Sequence, residues 1–323
     1  MADLLDDPTT TAPAPALGGE AADAPAAAGD LDPPEGPGPV DEPARARALL
    51  AARPVVEGHT EPPGVIDLDL PLDPDPDPED LPPVRAAEAG AQFWSLRVDT
   101  GDVVLGTLRR IDAVRALVAA FPEELRLAHT TSEMAHARNC GRVAVLLGPV
   151  SWSAVAGSPA TLRAYHALGV RAVGLTRFDG FAREAVREMN RLGLLVDLAG
   201  ADADTVRQAL AVSRAPVLLT RADPDGLPDD VLRLLGEKGG VCMVPVTTDE
   251  AATADHLDRV RGLAGPWSLG LSHAESPSAG YAPLFGELLR RGWLPDQLAA
   301  LAQGNVTRVL RETEFRARAS RPT

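Results

Sequence analysis

The chain has 323 residues, 45% of them hydrophobic, enough for one large barrel or two ordinary domains. Its net charge of -15 argues against nucleic acid or an anionic membrane surface as a partner. No run of about 18 apolar residues occurs, so no membrane-spanning helix is predicted.

Residues 1–44 contain no Lys or Arg and are crowded with Ala, Pro, Gly and Asp. Such a segment buries too little apolar surface to offset chain entropy, and a disordered tail is predicted over 1–48. It lacks the positive start and apolar core of a signal peptide. The folded body is predicted over 49–315, with a short C-terminal tail over 316–323. Cys140 and Cys242 lie far apart without a CxxC pattern, as buried thiols in a reducing cytosol would, and a cytoplasmic location is expected.

From Pro54 onward, apolar runs alternate with amphipathic ones. Val55-Val56 and Gln92 to Val98 are the first two predicted strands, followed by Arg142–Leu147, Val170–Leu175 and Leu194–Leu198. Pro216–Leu219, Gly240–Val244 and Trp267–Leu271 complete eight. Their β-branched or continuously apolar character suits parallel strands covered on both faces. Helices are predicted from Pro159 to a stop at Gly169, from Phe181 to a stop at Gly193, over Asp202–Ser213, and from Pro228 to near Gly239. Eight strand–helix alternations predict an α/β fold, a (β/α)8 TIM barrel. The competing doubly wound sheet lacks a glycine-rich phosphate loop after its first strand. An acidic Pro-rich loop is predicted over 67–83. The alternating prolines of Asp67 to Glu79 prevent calcium-loop geometry, so this stretch reads as a solvated linker.

Several phrases together resemble the renal (membrane) dipeptidase family of zinc peptidases. They are Gly90 to Ser95 (GAQFWS), Arg183 to Leu198 (REAVREMNRLGLLVDL), Val212 to Val217 (VSRAPV) and Leu227 to Leu235 (LPDDVLRLL). Asp255 to Asp258 (DHLD) and Gly304-Asn305 with Arg308-Val309-Leu310 continue the series, in order, across roughly residues 54–313. The resemblance implies a metallo-dependent-hydrolase-like barrel, a homodimer, and a two-zinc site at the C-terminal strand ends that hydrolyses short peptides, dipeptides among them.

Carried over position by position, the resemblance also implies that this site is degraded. The family's His-x-Asp pair after the first strand matches His59 and Glu61. The glutamate that bridges both metals matches Val150. A histidine at the end of the fourth strand matches Arg177, and two further metal-binding histidines match Gly200 and Arg221. The aspartate ending the eighth strand matches Ser272. The arginine that holds the substrate carboxylate is replaced near Asp225, and the loop after the fourth strand is shortened to Phe178-Asp179-Gly180. A catalytic zinc needs at least three protein donors, and paired metals need a bridging carboxylate. At roughly 5 Å and an effective dielectric of about 20, the Arg221 charge repels a dication by on the order of 6 kcal/mol.

Two functional readings follow. In the first, the chain is a catalytically inactive homologue that binds a short peptide or carboxylate ligand, or serves as a subunit in a homodimer or a heterodimer with a related chain. Arg177 and Arg221 then form an anion pocket, or they pair with Asp197, Asp223 or Asp225 in the space left by zinc. In the second, the chain is an active metallodipeptidase or amidohydrolase with at most one metal ion. The neighbouring first and eighth strands then bring His59, Glu61 and His273 together, with Glu275 nearby, and Glu61 is the one candidate catalytic group. His129, His136, His166 and His256 are assigned to helices and scaffold. Ser151 and Ser153 lack the elbow and base of a serine hydrolase.

Overall fold

The computed structural model describes residues 41–62, 88–98, 100–223, 225–272 and 280–320. The linker expected over Asp67 to Glu79, and the whole 67–83 loop with it, lies outside the described residues, as do His273 and Glu275.

Nine parallel strands form one sheet: β1 (Val55–Thr60), β2 (Ala89–Trp94), β3 (Leu125–Leu127), β4 (Val143–Leu147), β5 (Ala172–Gly174), β6 (Leu195–Asp197), β7 (Leu218–Leu219), β8 (Val241–Pro245) and β9 (Leu269–Ser272). Hydrogen bonding runs in the order β3-β4-β2-β1-β9-β8-β7-β6-β5. Parallel bridges Leu147↔Val170 and Val150↔Val173 then join the upper part of β4 to β5. The Val150 amide donates to the Ala172 carbonyl at 3.1 Å and the Gly174 amide to the Val150 carbonyl at 2.8 Å, closing a ring of eight strands. The ring is the predicted (β/α)8 barrel, and all eight predicted strands are in it. β3 is an addition: it pairs with the lower half of β4, where Leu125 to Leu127 lie beside Val143 to Val145, and stands as a shoulder outside the ring.

Side chains on a strand alternate between faces, and the buried residues separate accordingly. Val56, Ala91, Phe93, Leu146, Leu218 and Met243 belong to the cluster inside the ring, which Val306, Val309 and Leu310 join from the last helix. Trp94, Val145, Val196, Leu219, Val244 and Leu271 face outward into a larger cluster under the helices. Gly58 is required where β1 crosses this interior, because a Cβ there would lie 2.2 Å from the Thr220 carbonyl oxygen and 2.8 Å from Met243 Sδ.

The helices are α1 (Glu42–Ala52), α2 (Val103–Ala120), α3 (Thr131–Asn139), α4 (Pro159–Ala167), α5 (Ala182–Leu192), α6 (Ala203–Val212), α7 (Asp229–Glu237), α8 (Glu250–Ala264), α9 (Ala282–Arg290), α10 (Pro295–Ala299) and α11 (Asn305–Ala319). Asp102 and Asp202 cap α2 and α6 by accepting from the amides of Leu105 and Thr205. The stop after α5 is Gly193 at φ 82°, a left-handed position suited to glycine. No described helix is long and apolar enough to cross a membrane.

Two boundaries and one burial expectation differ from the structure. The tail predicted over 1–48 overlaps α1, which buries Ala46 and Leu50. Asp41 caps it by accepting from the Ala44 amide at 3.1 Å, so ordered chain begins earlier than the proline-rich composition implies. The tail predicted from 316 overlaps α11, which runs on to Ala319 and buries Ala317. Cys140, expected to be buried, is exposed; Cys242 is buried, and burial pushes its thiol up to about 12.

Candidate functional site at the barrel mouth

The strand register between β1 and β2 shifts between Glu57 and Thr60, which resets side-chain alternation at the end of β1. Glu57 is held by a buried network: Gln92 Nε2 donates to it at 2.7 Å, the Tyr281 hydroxyl at 2.7 Å and the Thr60 hydroxyl at 3.1 Å. Trp94 Nε1 in turn donates to Gln92 Oε1 at 2.9 Å. This network fixes the β1 backbone immediately before the first two predicted site residues.

His59 and Glu61 are together, with His59 Nε2 2.9 Å from Glu61 Oε1. Arg110 on α2 approaches the other Glu61 oxygen at 3.6 Å. The hydrogen bond from His59 is the largest influence holding the Glu61 carboxyl below its usual range; Arg110 and Ser95 add to it against the opposing effect of burial. His59 is buried, and its Nδ1 has no hydrogen-bond partner among the described residues. With Nε2–H donating to Glu61, Nδ1 carries a bare lone pair.

The other family positions present little to a metal. Val150 is fully buried, and its backbone closes the ring between β4 and β5. Gly200 follows β6 at φ 78°, with open space where a side chain would begin. Ser272 ends β9 fully buried, its hydroxyl without a partner. The Arg177 side chain is 74% exposed and lies 3.4 Å from Asp179. Asp179 itself caps α5, accepting from the amides of Phe181 and Ala182 at 3.1 Å and from Trp152 Nε1 at 3.0 Å. Among the described residues no group of three His, Cys, Asp or Glu side chains is placed to hold a metal ion. Among the described residues His59 and Glu61 are the two donors brought together here, and a catalytic zinc needs three from protein.

Above β6, β7 and β8 opens a cavity of about 400 Å³. Arg97, Gly200, Arg221, Asp223, Thr247 and His256 contribute to its lining; His59, Glu61 and Arg177 do not. Arg177, expected beside Arg221, is not among the lining of this cavity and lies at the surface next to Asp179. Asp197 feels the charge of Arg97, but its hydrogen bonds go elsewhere. It is fully buried and accepts from the Thr220 amide at 2.8 Å, the Thr220 hydroxyl at 3.0 Å and the Ala199 amide at 3.2 Å. Burial raises its pKa against these hydrogen bonds.

Two cavity residues escaped the sequence reading. Arg97 follows β2, where the sequence shows only an extension of an apolar strand. His256, assigned to the scaffold, sits on α8 with Nε2 3.1 Å from Asp225 Oδ2 and reaches the cavity wall. His129 stands before α3 rather than on a helix, bonded through both its backbone amide and its ring to Glu133. His59 beside Glu61 follows the phrase that the family resemblance supplied.

The sequence matches the family model described as Membrane dipeptidase (Peptidase family M19) over residues 43–182 and 178–322. Dipeptidase 3 of Rattus norvegicus is 29% identical over 332 residues, covering 84% of this chain and 67% of the relative. Dipeptidase aclJ of Aspergillus oryzae is 33% identical over 298 residues, covering 74% of this chain and 71% of the relative. The chain thus spans about two thirds of the length of such relatives. Among solved structures, the probable dipeptidase PvdM from Pseudomonas aeruginosa superposes with a TM-score of 0.72 at 15% identity, covering 86% of this chain and all of the other.

Proposed function

Because this chain belongs to the membrane dipeptidase family, we propose that it is a member whose two-zinc centre no longer assembles and whose barrel mouth binds a carboxylate-bearing ligand, such as a short peptide. The observation that carries this reading is Arg221. A guanidinium stands in the mouth cavity at a position where the family resemblance calls for a metal-binding histidine, beside a glycine where it calls for another. Guanidinium groups have no lone pair for a metal and a planar fork suited to carboxylates. Arg97, lining the same cavity, adds a second cation. The Gly200 backbone supports the reading independently. At φ 78° it has adopted a conformation that would strain a histidine by about 1–2 kcal/mol. Dimerisation rests on the family resemblance alone, and sedimentation at twice the 33.8 kDa chain mass checks it.

The test is metal content and hydrolysis together. Purified protein is expected to carry less than about a tenth of an equivalent of zinc, below what any three-donor site retains. Dipeptides should remain uncleaved after zinc is added. A dipeptide is expected to bind, and Arg97→Gln should weaken that binding about tenfold, the loss of one charge-assisted contact.

One observation favours a second reading. The bare His59 Nδ1 and the ionised Glu61 are suitable donors, and a third from the segment after β9 would complete a single-metal site for hydrolysis. Stoichiometric zinc, lost in His59→Ala, would establish that reading and reject the first.

A further inference from the structure

We propose that the base of the barrel, at the opposite end from the mouth, holds a second binding site for a small polyanion carrying at least two phosphate or carboxylate groups. A cavity of about 390 Å³ opens there between the starts of β1 and β2, helix α3 and the C-terminal helices. Arg53, Arg138, Arg308 and Arg311 line it, together with Gln303 and Thr307, and among the described residues no Asp or Glu does. The chain has 46 acidic residues against 31 Lys and Arg. Four guanidinium groups around one cavity, with no carboxylate among its described lining, therefore run against the character of the whole molecule.

Several arginines elsewhere on this surface are neutralised. Arg291 meets Glu287, Asp255 and Asp258, and Arg207 meets Asp204 and Asp230. In the basal cavity the pairing is different. Arg138 donates to the neutral amide oxygen of Gln303 at 3.1 Å. Arg308 donates to the carbonyls of Gly239 and Trp267, each at 2.9 Å. These neutral acceptors orient two guanidinium groups without cancelling their charge. Glu312, one turn beyond Arg308, is paired with Arg316 at 2.9 Å. Arg53 and Arg311 are exposed and make no ion pair among the described residues. Two fixed cations and two mobile ones around a concave floor suit an anion with charge at both ends, which guanidinium forks bind bidentately.

The helix wall supports the same conclusion. Between α10 and α11 the chain makes a π-helical turn, Ala300–Gly304, and Gln303 within it is the residue that orients Arg138. A π-turn widens the helix at a local cost in hydrogen-bond geometry and recurs at functional sites.

The test is calorimetric titration of the full chain with pyrophosphate and with citrate at about 0.1 M salt, where the Debye length is near 10 Å and loose surface attraction is screened. Saturable binding of at least one probe is expected below about 1 mM. The double variant Arg53→Gln, Arg311→Gln should weaken it at least tenfold, on the scale of about tenfold per lost contact. Both side chains are exposed, so the thermal melt of this variant should match the parent. Arg138→Gln, at a partly buried position, should also weaken it. Tighter pyrophosphate identifies a phosphate-bearing ligand, and tighter citrate a polycarboxylate. Absence of saturation by either probe, or undiminished binding in the double variant, overturns the proposal. So does loss of binding in Arg97→Gln, which would put the probe at the mouth. Because the two cavities are at opposite ends, failure here leaves the reading of the mouth untouched.

Discussion

Glu188 on α5 sits between two arginines: Arg191 Nε at 2.7 Å and Nη2 at 2.8 Å, and Arg163 Nη1 at 2.9 Å. The Arg191 hydrogen bonds, with help from Arg163, pull its carboxyl from the ordinary 4.5 to about 2. A carboxylate depressed in the folded state stabilises the fold fully above its unfolded value and loses that contribution as pH falls through the folded value. Glu188→Gln should therefore melt at a lower temperature than the parent near neutral pH. The gap should close between pH 4.5 and about 2, as read by melts at stepped pH. At this scale the sequence identified chemistry where neighbours in sequence are neighbours in space. His59 and Glu61, two residues apart, form the pair expected of them. Arg97 and His256 were not legible as partners in one cavity, because only the curvature of the ring brings the ends of β2 and α8 together. Arg177 was misplaced for the same kind of reason, its direction being set by the α5 cap rather than by its position in the family phrase.

Helix α1 shows how an element is concealed by composition. Its sequence, EPARARALLAA, has no amphipathic stripe and follows a long Ala- and Pro-rich stretch. Two small contacts decide its fate, since Ala46 and Leu50 are buried against α9 and the barrel wall. Leu50→Ala should cost about 2–4 kcal/mol, the range for emptying a buried leucine site. Denaturant titration measures it. A chain starting at Asp41 should keep the parent midpoint, and one starting at Pro54 should not. β3 was missed for the opposite reason. Leu125–Leu127 is three residues with an arginine in the middle, too short for periodicity to register. The eight ring strands were legible because burial on both faces demands continuous apolar runs, and α5 was legible because Gly193 marks its end.

At the scale of the molecule, the phrases that carry the family resemblance build the ring and its helices, and the positions that we propose are replaced lie where the strands end. A frame of this kind should accept its donors back. Combining Val150→Glu, Gly200→His, Arg221→His and Ser272→Asp is expected to raise zinc uptake from under about a tenth of an equivalent to one or more, given at least three donors. Gly200→His should be the weakest contributor, since its backbone favours glycine. Elemental analysis after dialysis decides it, and unchanged zinc would show that the strand ends have moved apart. The junction of β6 and β7 bears on the same question. Only Asp197 and Leu218 pair there, and the Asp197 carboxylate reaches over to the Thr220 amide and hydroxyl. A side chain thus supplies the rung that the backbone ladder omits. Deuterium should enter the Thr220 amide slowly in the parent and much sooner in Asp197→Asn, so this one proton keeps time for how often the cylinder parts along this thin seam.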